Sequence, residues 1–321
     1  MLKDLLNERK GFKLVCGAGN EDISEVEKLV TIYAKAGCKF FDVCASQDVV
    51  DAAKRGLKRA NIEDAFLCVS VGIAGDPHIT KAVIDKKKCI ECGKCYNTCP
   101  HNAITSSPIS VIQERCLGCS QCLTVCSANA INMTSKLKEY DEILPPIIEK
   151  GIDCIEFHAI STDENDVDDK WNKLNKLFDG MLCISLDRSE LGDKKLKERV
   201  QRLITQRKPY TTIIQADGVA MSGNNDEYGT TLQAIATAQL FQNANLPVYI
   251  MMSGGTNTKS TQLAKLCGVQ PHCLAVGSYA RKIVKKYLEN DNLYNNENVM
   301  NEAVLCAKNL IEVSLENMKI D

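Results

Sequence analysis

Residues 89–100 read CIECGKCYNTCP, and a second run, CLGCSQCLTVC, occupies residues 116–126. Each run places three cysteines two residues apart and a fourth cysteine after three more residues, which is the spacing of bacterial ferredoxins with two [4Fe-4S] clusters. In that pattern the fourth cysteine of each run binds the cluster of the other run. The spacing therefore predicts one cluster on Cys89, Cys92, Cys95 and Cys126, and a second on Cys116, Cys119, Cys122 and Cys99.

Structural zinc and plain buried thiols are the alternatives for these cysteines. Zinc sites pair C-x-x-C units and would leave a third thiol of each run unused, so iron-sulfur clusters explain the spacing better. The chain has 17 cysteines and no apparent export signal. Because the cytosol is reducing, a disulfide framework is not expected.

The overall composition excludes several classes of function. Lysine and arginine number 39 against 41 acidic residues, and aromatic residues make up 5% of the 321 residues, so a nucleic-acid binder is not expected. The amino terminus lacks the apolar segment of a signal peptide, and no apolar run approaches the ~18 residues of a membrane span. We expect a soluble cytoplasmic protein with no membrane partner.

Outside the cysteine runs, short apolar strands alternate with amphipathic helices. In EDISEVEKLVTIYAKAG (residues 21–37), for example, Ile23, Val26, Val30 and Tyr33 fall on one helical face, and Gly37 ends the helix. Eight strand-helix units predict a (β/α)8 TIM-type barrel with an inserted two-[4Fe-4S] ferredoxin-like module, and a doubly wound open sheet is the alternative. The eight strands begin at Phe12, Phe40, Ala65, Asp153, Met181, Thr211, Pro247 and Cys273.

The cysteine runs interrupt the alternation of strands and helices after the third strand. This interruption predicts the domain boundaries. Barrel units one to three occupy residues 1–78, the inserted module 79–133, and the remaining units 134–289. Residues 290–321 form an extra C-terminal helix, a candidate for packing or for a subunit contact. An insertion in the third strand-helix loop lies at the carboxyl face, where such barrels hold their active sites.

Two glycine-containing loops follow the last two strands, where barrels of this type often bind phosphate. The alternative is a pair of tight turns with helix caps. If the loops bind a ligand, the sequence predicts FMN or another phosphate-bearing ligand, such as a phosphorylated substrate, as the possible cofactor. The candidate binding residues are Gly254, Gly255, Thr256, Asn257, Gly277, Ser278 and Arg281.

Polar residues at several strand ends predict a ligand pocket. They form pairs spaced two residues apart, so each pair lies on one face of its strand. The catalytic candidates are His158, Asp217, Glu156 and Lys13; the first two are chosen for proton transfer, and Lys13 could point into the barrel. Asp76 and His78, where the chain enters the module, form either a turn or a pocket wall. The other polar pairs are Asp42 with Cys44, Ser185 with Asp187, and Gln215 with Asp217.

Several motifs together resemble the light-dependent period protein (LdpA) family of cyanobacteria and its bacterial relatives. The resemblance covers nearly the whole chain and implies a two-cluster iron-sulfur protein, linked in cyanobacteria to redox signalling toward the circadian clock. It does not specify a reaction, and the clock role depends on partners that the sequence does not reveal. The matching stretches are FKLVCGA, SVGIAGDPH, the double cysteine module, QADGVAMSG with YGTTLQAIATAQ, and SGGTNTK with GSYARKIV.

These observations leave two functional hypotheses. In the first, the clusters pass electrons to or from a ligand in the barrel pocket, so that the protein is an oxidoreductase, with or without a flavin. In the second, the protein is a non-catalytic redox sensor or electron-transfer protein that signals to a partner. Both require a redox partner protein as electron donor or acceptor, and the first adds a phosphorylated small molecule.

Overall fold

The computed structural model describes residues 1–74, 76, 79–135, 137–188, 191–218 and 227–318, with the side chains at 227 and 228 excepted. The strands are β1 (Gly11–Val15), β2 (Phe40–Cys44), β3 (Phe66–Val71), β4 (Thr80–Ile84), β5 (Ile131–Ser135), β6 (Cys154–His158), β7 (Met181–Leu186), β8 (Thr212–Asp217), β9 (Tyr249–Ser253) and β10 (Cys273–Val276). The helices are α1 (Leu2–Asn7), α2 (Ile23–Lys35), α3 (Gln47–Ala60), α4 (Lys94–Thr98), α5 (Gln121–Thr124), α6 (Tyr140–Glu149), α7 (Glu164–Leu177), α8 (Asp193–Ile204), α9 (Glu227–Asn243), α10 (Ser260–Leu266), α11 (Ser278–Leu288) and α12 (Glu297–Glu316).

Eight parallel strands close into a barrel in the order β1-β2-β3-β6-β7-β8-β9-β10, with β10 pairing back onto β1. This confirms the predicted (β/α)8 barrel, and the alternative of an open doubly wound sheet is wrong. β4 and β5 form a separate antiparallel pair that encloses both cysteine runs. The cysteine module is therefore inserted between β3 and α6, after the third barrel strand, as predicted.

The period-two alternation of the strands determines what fills the barrel. In β6, Ile155 and Phe157 point outward into the layer between strands and helices, whereas Cys154, Glu156 and His158 point inward. The lower interior is apolar and includes Phe40, Cys68, Met181, Cys183, Ile213 and Met251, with Leu2 and Leu6 of α1 packed against it. The polar side chains are thus concentrated in the upper layer, at the carboxyl ends of the strands.

The helices cover the outside of the barrel. Asp22 caps α2 by accepting hydrogen bonds from the backbone N–H groups of Ser24 and Glu25, and Val26, Val30 and Tyr33 are buried as predicted. Ile23 was predicted on the same face, but it is 46% exposed because it is the first residue of the helix. Helix α12 packs on α2, α10 and α11 of its own chain. Among the described residues, no helix is long and apolar enough to cross a membrane.

Candidate functional site

The eight module cysteines converge in two groups. The first cavity is lined by Cys89, Cys92, Cys95 and Cys126 together with apolar residues such as Ile84 and Ile109. The second cavity is lined by Cys99, Cys116, Cys119 and Cys122. These are the two ligand sets that the sequence spacing predicts, including the exchange of the fourth cysteine between the runs.

The surroundings of the sulfur atoms suit thiolate-bound clusters. Backbone N–H groups of Ala82, Ala103 and Ala130 each lie 3.3 Å from a cysteine Sγ, those of Cys116, Cys99 and Cys126 respectively. Such N–H···S contacts stabilise negative charge on sulfur. Two sets of four thiols in apolar cavities with amide donors therefore fit two [4Fe-4S] clusters, each held by one group of four cysteines.

A larger pocket lies between the mouth of the barrel and the module. Its floor is formed by the inward-facing side chains Asp42, Glu156, His158, Ser185, Gln215 and Asp217. One side of its rim carries the cations Arg281, Lys282 and Lys285 of α11. The pocket therefore has an acidic floor inside the barrel and a basic rim beside the module.

The module contributes part of the pocket wall. Pro100, His101, Leu117 and Gln121 line it, and the last three of these also line the second cysteine cavity. Burial is the main cause that lowers the pKa of His101 to about 4, and Arg281 and Lys285 lower it further, so the imidazole is neutral. One layer of side chains thus separates the second group of cysteines from the pocket.

His158 lies at the centre of the floor. Its Nδ1 is 2.7 Å from Asp76 Oδ2, and its Nε2 is 3.1 Å from Glu156 Oε1. Because both ring nitrogens face carboxylate oxygens, both must donate, which requires the imidazolium form. Burial alone would lower the pKa of His158, but Asp76 and Glu156 outweigh burial and hold the pKa well above its usual value. His158 is therefore a fixed positive charge.

Lys13 supplies a second fixed charge, and it points into the barrel as the sequence suggested. Its ammonium contacts Glu156, lies 3.3 Å from Gln215 Oε1 and is 3.8 Å from Asp42 Oδ1. Burial opposes protonation, but Asp42 and Glu156 hold the pKa of Lys13 well above its usual value. Ligand atoms of Asp42, Cys68 and Glu156 lie within 4.8 Å of one another, a spacing that would suit a metal ion. The ammonium of Lys13 supplies positive charge to this group of side chains.

Two floor carboxyl groups titrate near neutrality. Burial raises the pKa of Asp42 to about 6 although Lys13 opposes this, and burial together with Glu156 raises the pKa of Asp217 to about 6. The Ser185 hydroxyl donates to Asp217, and the Ser70 hydroxyl donates to Asp42 Oδ1 at 2.8 Å. Among the residues that the structure describes, no donor is within hydrogen-bonding distance of Asp42 Oδ2, although this atom is buried.

The predicted phosphate loop after β9 lines the pocket, but two of its side chains are bonded to neighbouring elements, β10 and α9. Thr256 donates its hydroxyl to the carbonyl of Ala275, and Asn257 Nδ2 lies 3.2 Å from the Thr231 hydroxyl. Gly254 has a φ of +69°, and a Cβ there would lie 2.7 Å from the backbone nitrogen of Gly218. Gly254, Gly255, Thr256 and Asn257 thus leave mainly backbone for a ligand.

The loop after β10 presents a helix start to the same pocket. Gly277, Ser278 and Tyr279 line the pocket at the beginning of α11, where the first-turn N–H groups have no intrahelical acceptor. The Arg281 guanidinium, predicted as a ligand contact, lines the pocket and is bonded to Glu25 at 2.8 Å and to the Cys16 carbonyl. Arg281 therefore joins α11 to the segment after β1 and contributes its charge to the rim.

Sequence reasoning missed some of the residues that complete this site. Asp76 was considered only as a turn or pocket wall, yet it is the buried partner of His158; His78 lies outside the described residues. His101, Leu117 and Gln121 carry no motif of their own, because their place in the wall depends on how the module docks on the barrel. The only signal was the position of the insertion at the carboxyl face.

Comparison with known proteins agrees with this organisation. A family model described as a 4Fe-4S dicluster domain matches residues 82–133, and the model described as the light dependent period A C-terminal domain matches residues 146–313, just over half of the chain. The chain is 28% identical over 296 residues to "Light dependent period A" of Synechococcus elongatus. That match covers 87% of this chain and 82% of the relative.

Solved structures show more distant likenesses. A mutant flavocytochrome b2 with pyruvate bound aligns with a TM-score of 0.47 at 10% identity, covering 97% of this chain and 65% of that one, just under two thirds. Tryptophan synthase subunit alpha from Legionella pneumophila aligns with a TM-score of 0.47 at 11% identity, covering 99% and 97%. Both scores are below 0.5, so neither likeness bears on the activity of this chain.

Proposed function

The chain belongs to the light dependent period A family, and from this premise we propose that it is an iron-sulfur oxidoreductase that exchanges electrons with a ligand in the barrel pocket. The observation that carries the proposal is the shared wall of His101, Leu117 and Gln121 between the pocket and the second cysteine cavity. When bound, [4Fe-4S] clusters would donate or accept one electron at a time. The wall would hold the ligand next to the cysteines.

The floor residues divide into fixed charges and proton donors. Lys13 and His158 are positive, and Glu156 compensates them because both cations lower its pKa against the effect of burial, so these three groups hold the geometry without exchanging protons near neutral pH. Asp76 contacts His158 Nδ1 on the other side of the ring. Asp42 and Asp217 have pKa values of about 6 and can deliver protons to a ligand that accepts electrons. We therefore assign proton transfer to Asp217 and Asp42, and His158 orients Glu156.

The ligand that fits the rim is a phosphate-bearing molecule, such as FMN or a phosphorylated substrate. Support comes from the start of α11, where free backbone N–H groups and the helix dipole favour an anion, and from the charges of Lys282 and Lys285 one to two turns further on. A polar head at the floor and a phosphate at the rim would span the pocket from Asp42 to Ser278.

The test uses anaerobically prepared protein with about eight irons per chain. Small molecules released on denaturation identify a resident ligand, and the reduced protein is examined by electron paramagnetic resonance with and without added FMN. We expect a bound ligand to alter the signal of one cluster and leave the other unchanged. Ser278→Trp, which adds a bulky side chain at the rim, should abolish this change and retain the iron.

Two results would contradict the proposal in different ways. Absence of flavin after denaturation, together with no effect of FMN on the spectrum, would exclude FMN and leave the phosphorylated substrates. If no phosphorylated ligand changed either cluster signal, the pocket and the clusters would not be coupled. The protein would then act as a redox sensor or an electron carrier.

A further inference from the structure

The two cysteine cavities differ in their position relative to the surface. Cys92, which lines the first cavity, is the exposed member of the eight module cysteines, and the other seven are buried or half-buried. The loop from Ile90 to Lys94 forms the wall of that cavity. No described residue lines both the first cavity and the barrel pocket, whereas three residues join the second cavity to the pocket. The first cavity is therefore the outer one.

The surface around this outer cavity is basic. Lys86, Lys87, Lys88 and Lys94 are exposed, and the acidic residues of the same segment are Asp85, which precedes them, and Glu91. Asp85 is half-buried, and its carboxylate accepts a hydrogen bond from the backbone N–H of Lys87 at 2.9 Å. The whole chain has a formal net charge of −2. The excess of lysine is thus local to the loop that covers the outer cysteines.

Exposed apolar side chains accompany these lysines. Ile90 is 66% exposed and Tyr96 is 46% exposed, and the two flank Cys92 on either side in the sequence. A small apolar centre with a charged rim is the usual composition of a transient protein interface. We name this surface, made of Lys86, Lys87, Lys88, Ile90, Cys92, Lys94 and Tyr96, the outer cluster face.

We propose that the outer cluster face is the docking site of an acidic one-electron carrier protein, so that electrons cross the module from the outer cysteines toward the barrel pocket. The occupant follows from charge complementarity, because four exposed lysines on a chain of net negative charge attract an acidic partner to this face and disfavour a basic one. Redox complexes are commonly weak and have small interfaces. The direction of electron transfer toward the pocket rests on the proposed function, whereas the docking of the carrier protein does not depend on it.

The experiment measures binding of an acidic [2Fe-2S] ferredoxin to the holoprotein, with both proteins oxidised and oxygen excluded. In the test variant, Lys86, Lys87 and Lys88 are each replaced by Glu. The control variant replaces Lys194, Lys195 and Lys208 by Glu, which are exposed residues on and after α8 with the same total change of charge. Iron content is measured first, so that a lost cluster is not mistaken for lost docking.

The test variant should bind the ferredoxin about tenfold more weakly or worse, and the wild type should lose affinity as salt is added. The control variant should keep most of the wild-type affinity. Equal losses of affinity in the two variants would show that only net charge matters and would contradict the docking site. Tighter binding of a basic cytochrome than of the ferredoxin would contradict it as well. If the test variant loses iron, Lys87→Glu alone, compared with Lys194→Glu, decides between the same outcomes.

Two further measurements separate this proposal from the proposed function. Ile90→Ser removes the apolar centre and should weaken binding with little change in its salt dependence, whereas unchanged affinity would contradict the assigned interface. Stopped-flow reduction of the clusters by reduced ferredoxin then reports docking without any pocket ligand. The protein could dock the ferredoxin and accept its electrons normally while its clusters never respond to a pocket ligand. That result would contradict the proposed oxidoreductase activity, and the assignment of the outer cluster face as a docking site would still hold.

Discussion

The ammonium nitrogen of Lys81 lies 2.6 Å from the carbonyl oxygen of Gly19, which connects β4 of the module to the loop after β1 of the barrel. The same ammonium donates to the carbonyls of Gln113 and Cys116 at 2.9 Å each. All three of its protons are therefore used, and one of the acceptors belongs to a predicted cluster ligand. Lys81 thus fixes the second group of cysteines over the barrel mouth.

Replacing Lys81 by Met should loosen this attachment. The side chain is almost fully buried, so methionine would leave three carbonyls without a charged donor, at a cost of ~2–4 kcal/mol in the free energy of unfolding. Hydrogen exchange should become faster at residues 17–22 and 113–116. Lys86→Met, on an exposed lysine of the same module, is the control and should change neither quantity. Equal effects of the two substitutions would show that Lys81 is not an anchor.

Replacing Asp76 by Asn should lower the pKa of His158. The raised pKa means that protonation of His158 contributes stability below its ordinary value of 6.5, and that this contribution is lost only as the pH rises through the higher pKa of the folded state. Without Asp76 the loss begins at a lower pH, and removing one partner of a buried ion pair costs about 3–5 kcal/mol.

Nuclear magnetic resonance of protein labelled at its four histidines measures this pKa directly. Glu139→Gln, which removes an exposed carboxylate from a surface ion pair with Lys173, is the matched control. An unchanged titration of His158 in Asp76→Asn would mean that Glu156 alone holds the proton on the ring.

Much of the barrel could be predicted from the sequence because its signals are local. The predicted strand starts at Phe40, Met181 and Cys273 agree with the structure, and Pro247 precedes the observed start at Tyr249 by two residues. Period-two alternation also placed Glu156 and His158 on one inward face. The cysteine spacing gave the composition of both cavities, because ligand exchange follows from the repeat itself.

The contacts between distant segments could not be predicted. Asp76 reaches His158 across 82 residues, and Arg281 reaches Glu25 across 256, and no periodicity reports such a meeting. Arg281 was expected to bind a ligand because it follows a glycine loop, but a nearby carboxylate competes for the same guanidinium. Tertiary packing decides whether a polar side chain binds a ligand or another part of the chain. The local sequence pattern does not report this packing.

Ionisation of Asp42 in its buried site should contribute a loss of stability as the pH rises from 4 to 7. Its folded pKa of about 6 exceeds the ordinary value of 3.8, so the folded state binds more protons in this range. The shift corresponds to ~3 kcal/mol lost between the two pKa values. The charged groups that face this carboxyl group are Lys13, Glu156 and His158. Burial and Glu156 raise the pKa of Asp42 although the cations Lys13 and His158 lower it.

Asp42→Asn isolates this contribution, since asparagine keeps the shape and cannot ionise. The variant should lose less stability than the wild type over the same pH range, and it should be the more stable protein above pH 7. Urea unfolding of the holoprotein at several pH values measures both quantities. Asp51→Asn is the control, because Asp51 pairs with Lys150 in a more exposed ion pair on α3. A wild type and an Asp42→Asn variant with parallel pH profiles would contradict the raised pKa.

Replacing Cys92 and Cys119 one at a time by Ala should separate the two clusters. Each substitution removes one of four thiolates, so about four of the ~eight irons should be lost, or one cluster should convert to a three-iron form. Because Cys92 lines the outer cavity and Cys119 the inner one, the two variants should lose different signals in electron paramagnetic resonance. Cys267→Ala, an exposed cysteine outside the module, should lose no iron. Loss of the same signal in both variants would contradict the division into two groups of four, and zinc in place of iron would contradict the clusters altogether.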